Sequence, residues 1–245
     1  MQAPERPQAP AEVWMRLLRL WAATAAACAV VSFPTSSVFS LRQVEVHGAV
    51  TLDPQALVRA AGLDPGSPLA SVDPERARRG LLRLPRVRQA RVEVQWPSRV
   101  VVWVQERQPV AALRLPDGTQ AVVDAEGVVL DRGEQAEGLP VVLVPAVPWL
   151  RPGEVVPAAP VVGLVVELAA LPEEDRRQVR WVRWLGTGDY VVGGWDGVVA
   201  RVAARQLQQG LRRAQRVAEA LRARGVRPAV VDVRFGERAV VEPAP

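Results

Sequence analysis

Lysine is absent from this chain, and cysteine and histidine occur once each, as Cys28 and His47. A lone cysteine forms no internal disulfide. One cysteine and one histidine set far apart do not make a zinc site, which recruits several such ligands. Nucleophiles of the Cys–His or Ser–His–Asp kind need a histidine beside a partner. His47 sits instead in the strand-like run Val44-Glu45-Val46-His47-Gly48, as a surface residue before a turn. Much of the usual catalytic repertoire is thereby removed, and carboxylate chemistry is left. Asp124, Glu126 and Asp131 are close enough in sequence to supply an acid and a base. All three fall at turns, however, where acidic residues are routine. Gly193-Gly194-Trp195-Asp196-Gly197 lacks the lysine and the following helix of a phosphate-cradling loop and reads as a hairpin turn. No enzyme activity, cofactor, metal or small-molecule substrate is expected.

What is present is apolar and arginine-rich. The 245 residues are 49% hydrophobic with a net charge of +5. That apolar fraction excludes a disordered chain, and the length allows more than one domain. The arginines are scattered among Asp and Glu, which is the pattern of a solvated surface rather than a nucleic-acid face.

A stretch of roughly 22 residues from Leu20 to Leu41 carries no charge, enough helix to cross a hydrocarbon core about 30 Å thick. Trp14, Arg16, Arg19 and Trp21 stand at its near end, as aromatic and cationic interfacial anchors do. The expectation is a cytoplasmic tail over residues 1–19, a single transmembrane helix over 20–40 and an extracytoplasmic remainder. A cleaved signal peptide accounts for the same pattern, with its charged region at Arg16 and Arg19, its apolar core from Leu20 to Val31 and small residues near Val38-Phe39-Ser40. Either way the residues after about 41 are exported.

Leu41 to Gly48 alternates as a strand. Asp53-Pro54 and Asp73-Pro74 each read as a capped helix start, running to about Ala61 and Leu82. Strands follow over Val87 to Trp96, with Val92, Val94 and Trp96 on one face, and over Arg99 to Glu106, with a turn at Pro97-Ser98. This β-α-α-β-β order resembles a POTRA (polypeptide-transport-associated) domain over residues 41–108. POTRA domains dock partners, often through a sheet edge.

Residues 109–242 read as a mixed or antiparallel β domain, and 243–245 as a tail. Strands are expected over 112–115, 120–124, 128–130, 139–144, 178–185, 190–194, 197–202, 229–235 and 238–242, with a polar loop at 131–138. Pro160 to Leu171 is apolar with helical length. Ala203 to Arg224 is the clearest helix, with Leu207, Leu211, Ala214, Ala218 and Leu221 on one stripe. The proline-rich stretch 145–160 has no assigned place. The fold class is therefore α+β: a single transmembrane helix, a POTRA-like domain, then a β domain with a long amphipathic helix.

Together these segments resemble the FtsQ/DivIB family of bacterial cell-division proteins. The specific signals are Glu106-Arg107-x-Pro109-x-Ala111, then Val123-Asp124-x-x-Gly127-Val128, and Val231-Asp232-Val233-Arg234-Phe235 after the long helix. The resemblance implies a non-catalytic divisome scaffold in the bacterial inner membrane. It would bring FtsB/FtsL-type bitopic proteins and other divisome components to the septum. It further implies a partner site at the last strands, which on this chain is Arg234, Phe235, Gly236, Arg238, Ala239, Val240 and Val241. A strand paired on one side offers main-chain hydrogen bonds to an added strand. Phe235 would add apolar contact area, and Arg234 a fork for a carboxylate. The alternative is a POTRA-containing translocation or envelope-assembly factor. Such factors normally end in a long barrel, and about 135 residues that include a long amphipathic helix do not make one.

Overall fold

Asp53 and Asp73 each precede a proline, and each starts a helix in the computed structural model of the chain. Asp53 accepts from the backbone N–H groups of Gln55 and Ala56 at 3.0 and 3.1 Å, and Asp73 from those of Glu75 and Arg76 at 2.9 and 3.2 Å. These bonds satisfy amides that a first helical turn leaves unpaired. The structure describes residues 15–16, 18–22, 39–133, 136–144, 149–186, 188–195, 197–236 and 238–244. They fall into two units, Met1–Leu81 with Gln89–Val104 and Leu82–Arg88 with Gln105–Pro245.

The first unit holds β1 (Gln43–His47), α1 (Pro54–Ala60), α2 (Pro74–Leu81) and most of β2 (Val87–Gln95) and β3 (Arg99–Glu106). The order is the expected β-α-α-β-β. The three strands form one sheet in the order β1-β3-β2, with β1 parallel to β3 and Gln43 opposite Arg99. Leu41, Leu57, Leu69, Leu81, Val100 and Val102 are fully buried in its core. Trp96 departs from the expected apolar face. The strand stops at Gln95, so the indole falls in the turn before Pro97 and is 57% exposed.

In the second unit β4 (Pro109–Arg114), β5 (Gln120–Asp124), β6 (Val129–Gly133), β7 (Val141–Leu143), β8 (Trp181–Trp184), β9 (Asp189–Trp195), β10 (Val198–Ala203), β11 (Pro228–Asp232) and β12 (Val240–Pro243) make one mixed sheet. Its order is β12-β11-β10-β9-β8-β7-β4-β5-β6. Three helices accompany it: α3 (Ala159–Ala170), α4 (Glu173–Gln178) and α5 (Leu207–Arg222). α3 packs on β4 and on α5, and α5 packs on β10 and β11. Val161, Leu164, Val165 and Leu168 of α3 are buried, as are Leu207, Leu211, Ala214 and Ala218 of α5. These spacings of three and four put each set on one helix face.

Several boundaries differ from the sequence reading. α5 starts at Leu207 rather than Ala203, because Ala203 stays in β10 and Arg205 takes a left-handed φ of 64°. Its first amides are capped from another helix: Glu167 of α3 accepts from the N–H groups of Arg205 and Leu207 at 2.9 and 3.0 Å and from the Tyr190 hydroxyl at 2.8 Å. β6 runs on to Gly133, into the expected polar loop. α4 occupies residues just before the expected strand at 178–185, which is shortened to β8. α4 buries no residue and so leaves no apolar period to read. Its support is Glu173, Glu174 and Asp175 in the first turn and Arg176 and Arg177 in the last, which complement the helix dipole.

Among the described residues no helix is long and apolar enough to cross a membrane. Of the expected span 20–40, only residues 20–22 and 39–40 are described.

Gly80 of α2 is where the two helices of the first unit approach each other: a Cβ there would lie 2.1 Å from the Ala60 carbonyl oxygen. On an open helix face Gly→Ala stabilises by about 1 kcal/mol. Here Gly80→Ala is expected to reverse sign and destabilise by about 1–3 kcal/mol through overpacking, read from denaturant unfolding. A variant as stable as wild type would mean that the helices do not meet in this way.

Candidate functional site

The C-terminal end of the chain builds one border of the large sheet. β11 pairs with β10 in parallel and with β12 antiparallel, Val231 opposite Val241 and Asp232 opposite Val240. Among the described residues β12 has no second neighbour in the sheet. The opposite border, β6, is treated differently. Val129 donates to the Glu154 carbonyl at 2.8 Å and accepts from Gly153 N–H at 2.8 Å, while Val156 N–H reaches Gly127 O at 2.9 Å. Residues 153–156 of the proline-rich stretch thus pair with residues 127–129, where the chain enters β6.

The strands near this C-terminal border are shorter than the sequence reading had them. β11 ends at Asp232, not at 235, and β12 begins at Val240, not at 238. Arg234, Phe235 and Gly236 therefore lie in the connection, with Arg238 and Ala239 leading into β12. The connection turns at Gly236 (φ 60°) and is closed by Arg238 N–H to Phe235 O at 3.2 Å. Val233 and Ala239 pack against the core. Phe235 is 57% exposed and Val240 54%.

Arg234 does not hold out a free fork. Its Nε and Nη2 donate to the two carboxylate oxygens of Asp232 at 2.9 and 2.7 Å, and Nη1 donates to Asp189 Oδ2 at 2.7 Å. The fork expected to face a partner's carboxylate is, in this structure, turned onto carboxylates of the same chain. Its guanidinium carbon lies 5.3 Å from the centre of the Phe235 ring, so the arginine braces that side chain. Arg201 on β10 extends the cluster, 4.0 Å from Asp232 and 3.5 Å from Glu242 on β12. Side chains from β9, β10, β11 and β12 are thus joined by charge. Asp232 is nearly fully buried. The Arg234 hydrogen bonds hold its carboxyl below the ordinary aspartate value, against the upward push of burial. Asp189, Arg201 and Glu242 escaped the sequence reading because their neighbourhood depends on strand order. The Asp232–Arg234 pair was missed as well, although residues two apart in extended chain share a face, a signal that could have found it.

A second cluster joins the two motifs at the start of this unit. Arg107 donates to Asp124 Oδ2 at 2.6 Å and to Glu126 Oε2 at 2.7 Å, and Arg88 reaches Glu126 at 2.5 Å. Asp124 also accepts from the N–H groups of Glu126 and Val128, which shapes the turn. Hydrogen bonds from Arg107 and Arg88 hold the Glu126 carboxyl low. Asp131 pairs with Arg86 at 3.3 Å. The three carboxylates weighed as an acid–base set are each tied to arginine, which suits a structural role. Of the expected membrane anchors, Arg16, Arg19 and Trp21 are exposed in helical chain, and Trp14 lies outside the described residues.

Residues 39–107 match the family model for the POTRA domain, FtsQ-type. This segment, which comprises β1, α1, α2, β2 and β3, is therefore a POTRA domain of that type. The chain is also similar to proteins named cell division protein FtsQ. Identity is 32% over 124 residues with the Mycolicibacterium smegmatis protein, covering 49% of this chain and 37% of that one. It is 38% over 96 residues with the Chloroflexus aggregans protein, covering 39% and 35%, and 36% over 113 residues with the Streptomyces bingchenggensis protein, covering 45% and 42%. The chain thus spans between 35% and 42% of the length of these relatives. A solved structure of the major extracytoplasmic domain of DivIB from Geobacillus stearothermophilus overlaps 49% of this chain and 97% of its own, at 18% identity and a TM-score of 0.36. Beyond the POTRA segment, what these comparisons show is that the chain is similar over the matched residues to proteins named cell division protein FtsQ.

The charge cluster predicts a pH signature. Because folding depresses the Asp232 pKa, its stabilisation is complete above the unfolded value near 3.8 and is lost as pH falls through the lower folded value. Asp232→Asn is expected to cost about 1.5–3 kcal/mol at pH 7, with the gap to wild type closing below pH 3.8. Urea unfolding from pH 7 to pH 2 checks this, and a gap that stays constant would remove the ion pair from the account.

Proposed function

We propose that this chain is a non-catalytic, membrane-anchored scaffold of the bacterial divisome. It recruits FtsB/FtsL-type bitopic division proteins by strand addition to β12, for septum formation. The observation that carries this reading is at the borders of the nine-stranded sheet: the entry to β6, at residues 127–129, is paired by residues 153–156, whereas β12 pairs only with β11 among the described residues. An added strand would satisfy the outward N–H and C=O groups of β12. The names of the relatives support the setting.

In this reading Phe235, Ala239, Val240 and Val241 form the apolar part of the contact. Arg234 acts indirectly, by keeping Phe235 in place, and Gly236 and Arg238 shape the connection. A single span at 20–40, with Trp14, Arg16, Arg19 and Trp21 at its cytoplasmic end, holds the protein in the inner membrane. The remainder is then extracytoplasmic and concentrated at the septum.

Co-purification of the full chain with FtsB/FtsL-type proteins from the same cell tests the proposal. Phe235→Ala is expected to weaken capture by about 2 kcal/mol, roughly thirtyfold. A chain ending after Gly236 is expected to capture nothing while keeping its circular dichroism. Retained binding by a folded truncated chain would refute docking at β12, and a wild type that captures neither partner would refute the recruiting role.

A further inference from the structure

The turn between β2 and β3 lies at the end of the first unit's sheet where the chain comes in. Register causes this. Because β1 runs parallel to β3 with Gln43 opposite Arg99, whatever precedes β1 lies beside whatever precedes β3. The backbone fixes the contact: the N–H groups of Arg42 and Gln43 both donate to Ser98 O, at 2.9 and 3.2 Å. Just upstream, the ring of Phe39 meets the indole of Trp96 edge-on, with centroids 5.6 Å apart and planes at 62°.

Trp96 is 57% exposed. The unit's core is filled by other residues, beginning at the fully buried Leu41. The indole is therefore a large apolar surface on a turn, where folding does not require one. Phe39 belongs to the uncharged stretch that ends at Leu41. A span over 20–40 would end with Phe39 at the outer border of the hydrocarbon. The polar interface beyond that border is roughly 5–8 Å deep on each side. A side chain 5.6 Å from Phe39 fits within that depth. Tryptophan is enriched at this level because its ring is apolar and its N–H can still reach water or headgroups. Arg42 and Arg99 stand at the same end of the sheet, and Arg99 is paired to Glu45 at 3.0 Å.

We propose that Trp96, braced by Phe39, is an interfacial anchor that rests the base of the first unit on the outer phospholipid surface. The inference rests on the span proposed above. It turns a single-point tether into a two-point attachment, and so restricts how the POTRA domain tilts on the membrane.

The test uses the full chain reconstituted in phosphatidylcholine vesicles that carry a spin label either at the headgroup or deep in the acyl chains. The emission lost on Trp96→Phe reports Trp96, and an unchanged unfolding curve shows that the variant folds. The expected result is that this component is quenched by the headgroup label and loses that quenching when the label is buried. A component quenched by neither label, in a chain that resists alkaline extraction, overturns the anchor and leaves the span intact. A chain that alkali extracts from the vesicles overturns the span, and the anchor with it.

Discussion

A β-sheet ends in two rows of backbone N–H and C=O groups that no internal strand can satisfy, and the second unit treats its two rows in opposite ways. At the entry to β6 the chain supplies its own partner: residues 153–156, between Pro152 and Pro157, pair with residues 127–129. Proline donates no ladder bond, so such a segment caps an edge without extending the sheet. At β12 the sheet closes with a strand of four residues, Val240–Pro243. A strand this short adds only a few hydrogen bonds, each with a net value of about 1 kcal/mol. Micromolar binding needs about 8 kcal/mol. For the strand addition proposed at β12, backbone pairing alone would be too weak, and the exposed apolar surface of Phe235 and Val240 beside the edge would have to supply the rest.

The same border explains why Arg234 is conformationally committed. Asp232 is buried, and a buried carboxylate must be paired or it neutralises. Arg234 closes on both of its oxygens and reaches Asp189 across the sheet. The fork is thus part of the sheet's own electrostatics, and its guanidinium lies 5.3 Å from the centre of the Phe235 ring. Arg107 does comparable work at the other motif, where it joins Asp124 to Glu126 and secures the turn into β6. In both places a motif arginine holds two chain segments together.

Much of the first unit was legible because its signals are local. The Asp-Pro caps of α1 and α2, the alternation of β1 and the β2–β3 turn each depend on a few adjacent residues, and all of them appear where the sequence put them. The misses share a different cause. α5 starts late because its cap is Glu167, which is 40 residues away in sequence from Leu207. α4 is held by charge rather than by an apolar face. Trp96 was placed on a strand face by its period, but the chain had already turned.

By itself, then, the sequence determined the element order, the apolar faces of α3 and α5, the POTRA-type segment and the neighbourhood of the C-terminal motif, because these follow from spacing and local capping. Only the tertiary structure decided that β12 has a single sheet neighbour among the described residues, that residues 153–156 pair with the entry to β6, that Arg234 is engaged with Asp232 and Asp189, and that Trp96 lies against Phe39. Each of these depends on strand order and register, which are fixed by pairings between residues far apart in the chain and leave no period in the sequence to read.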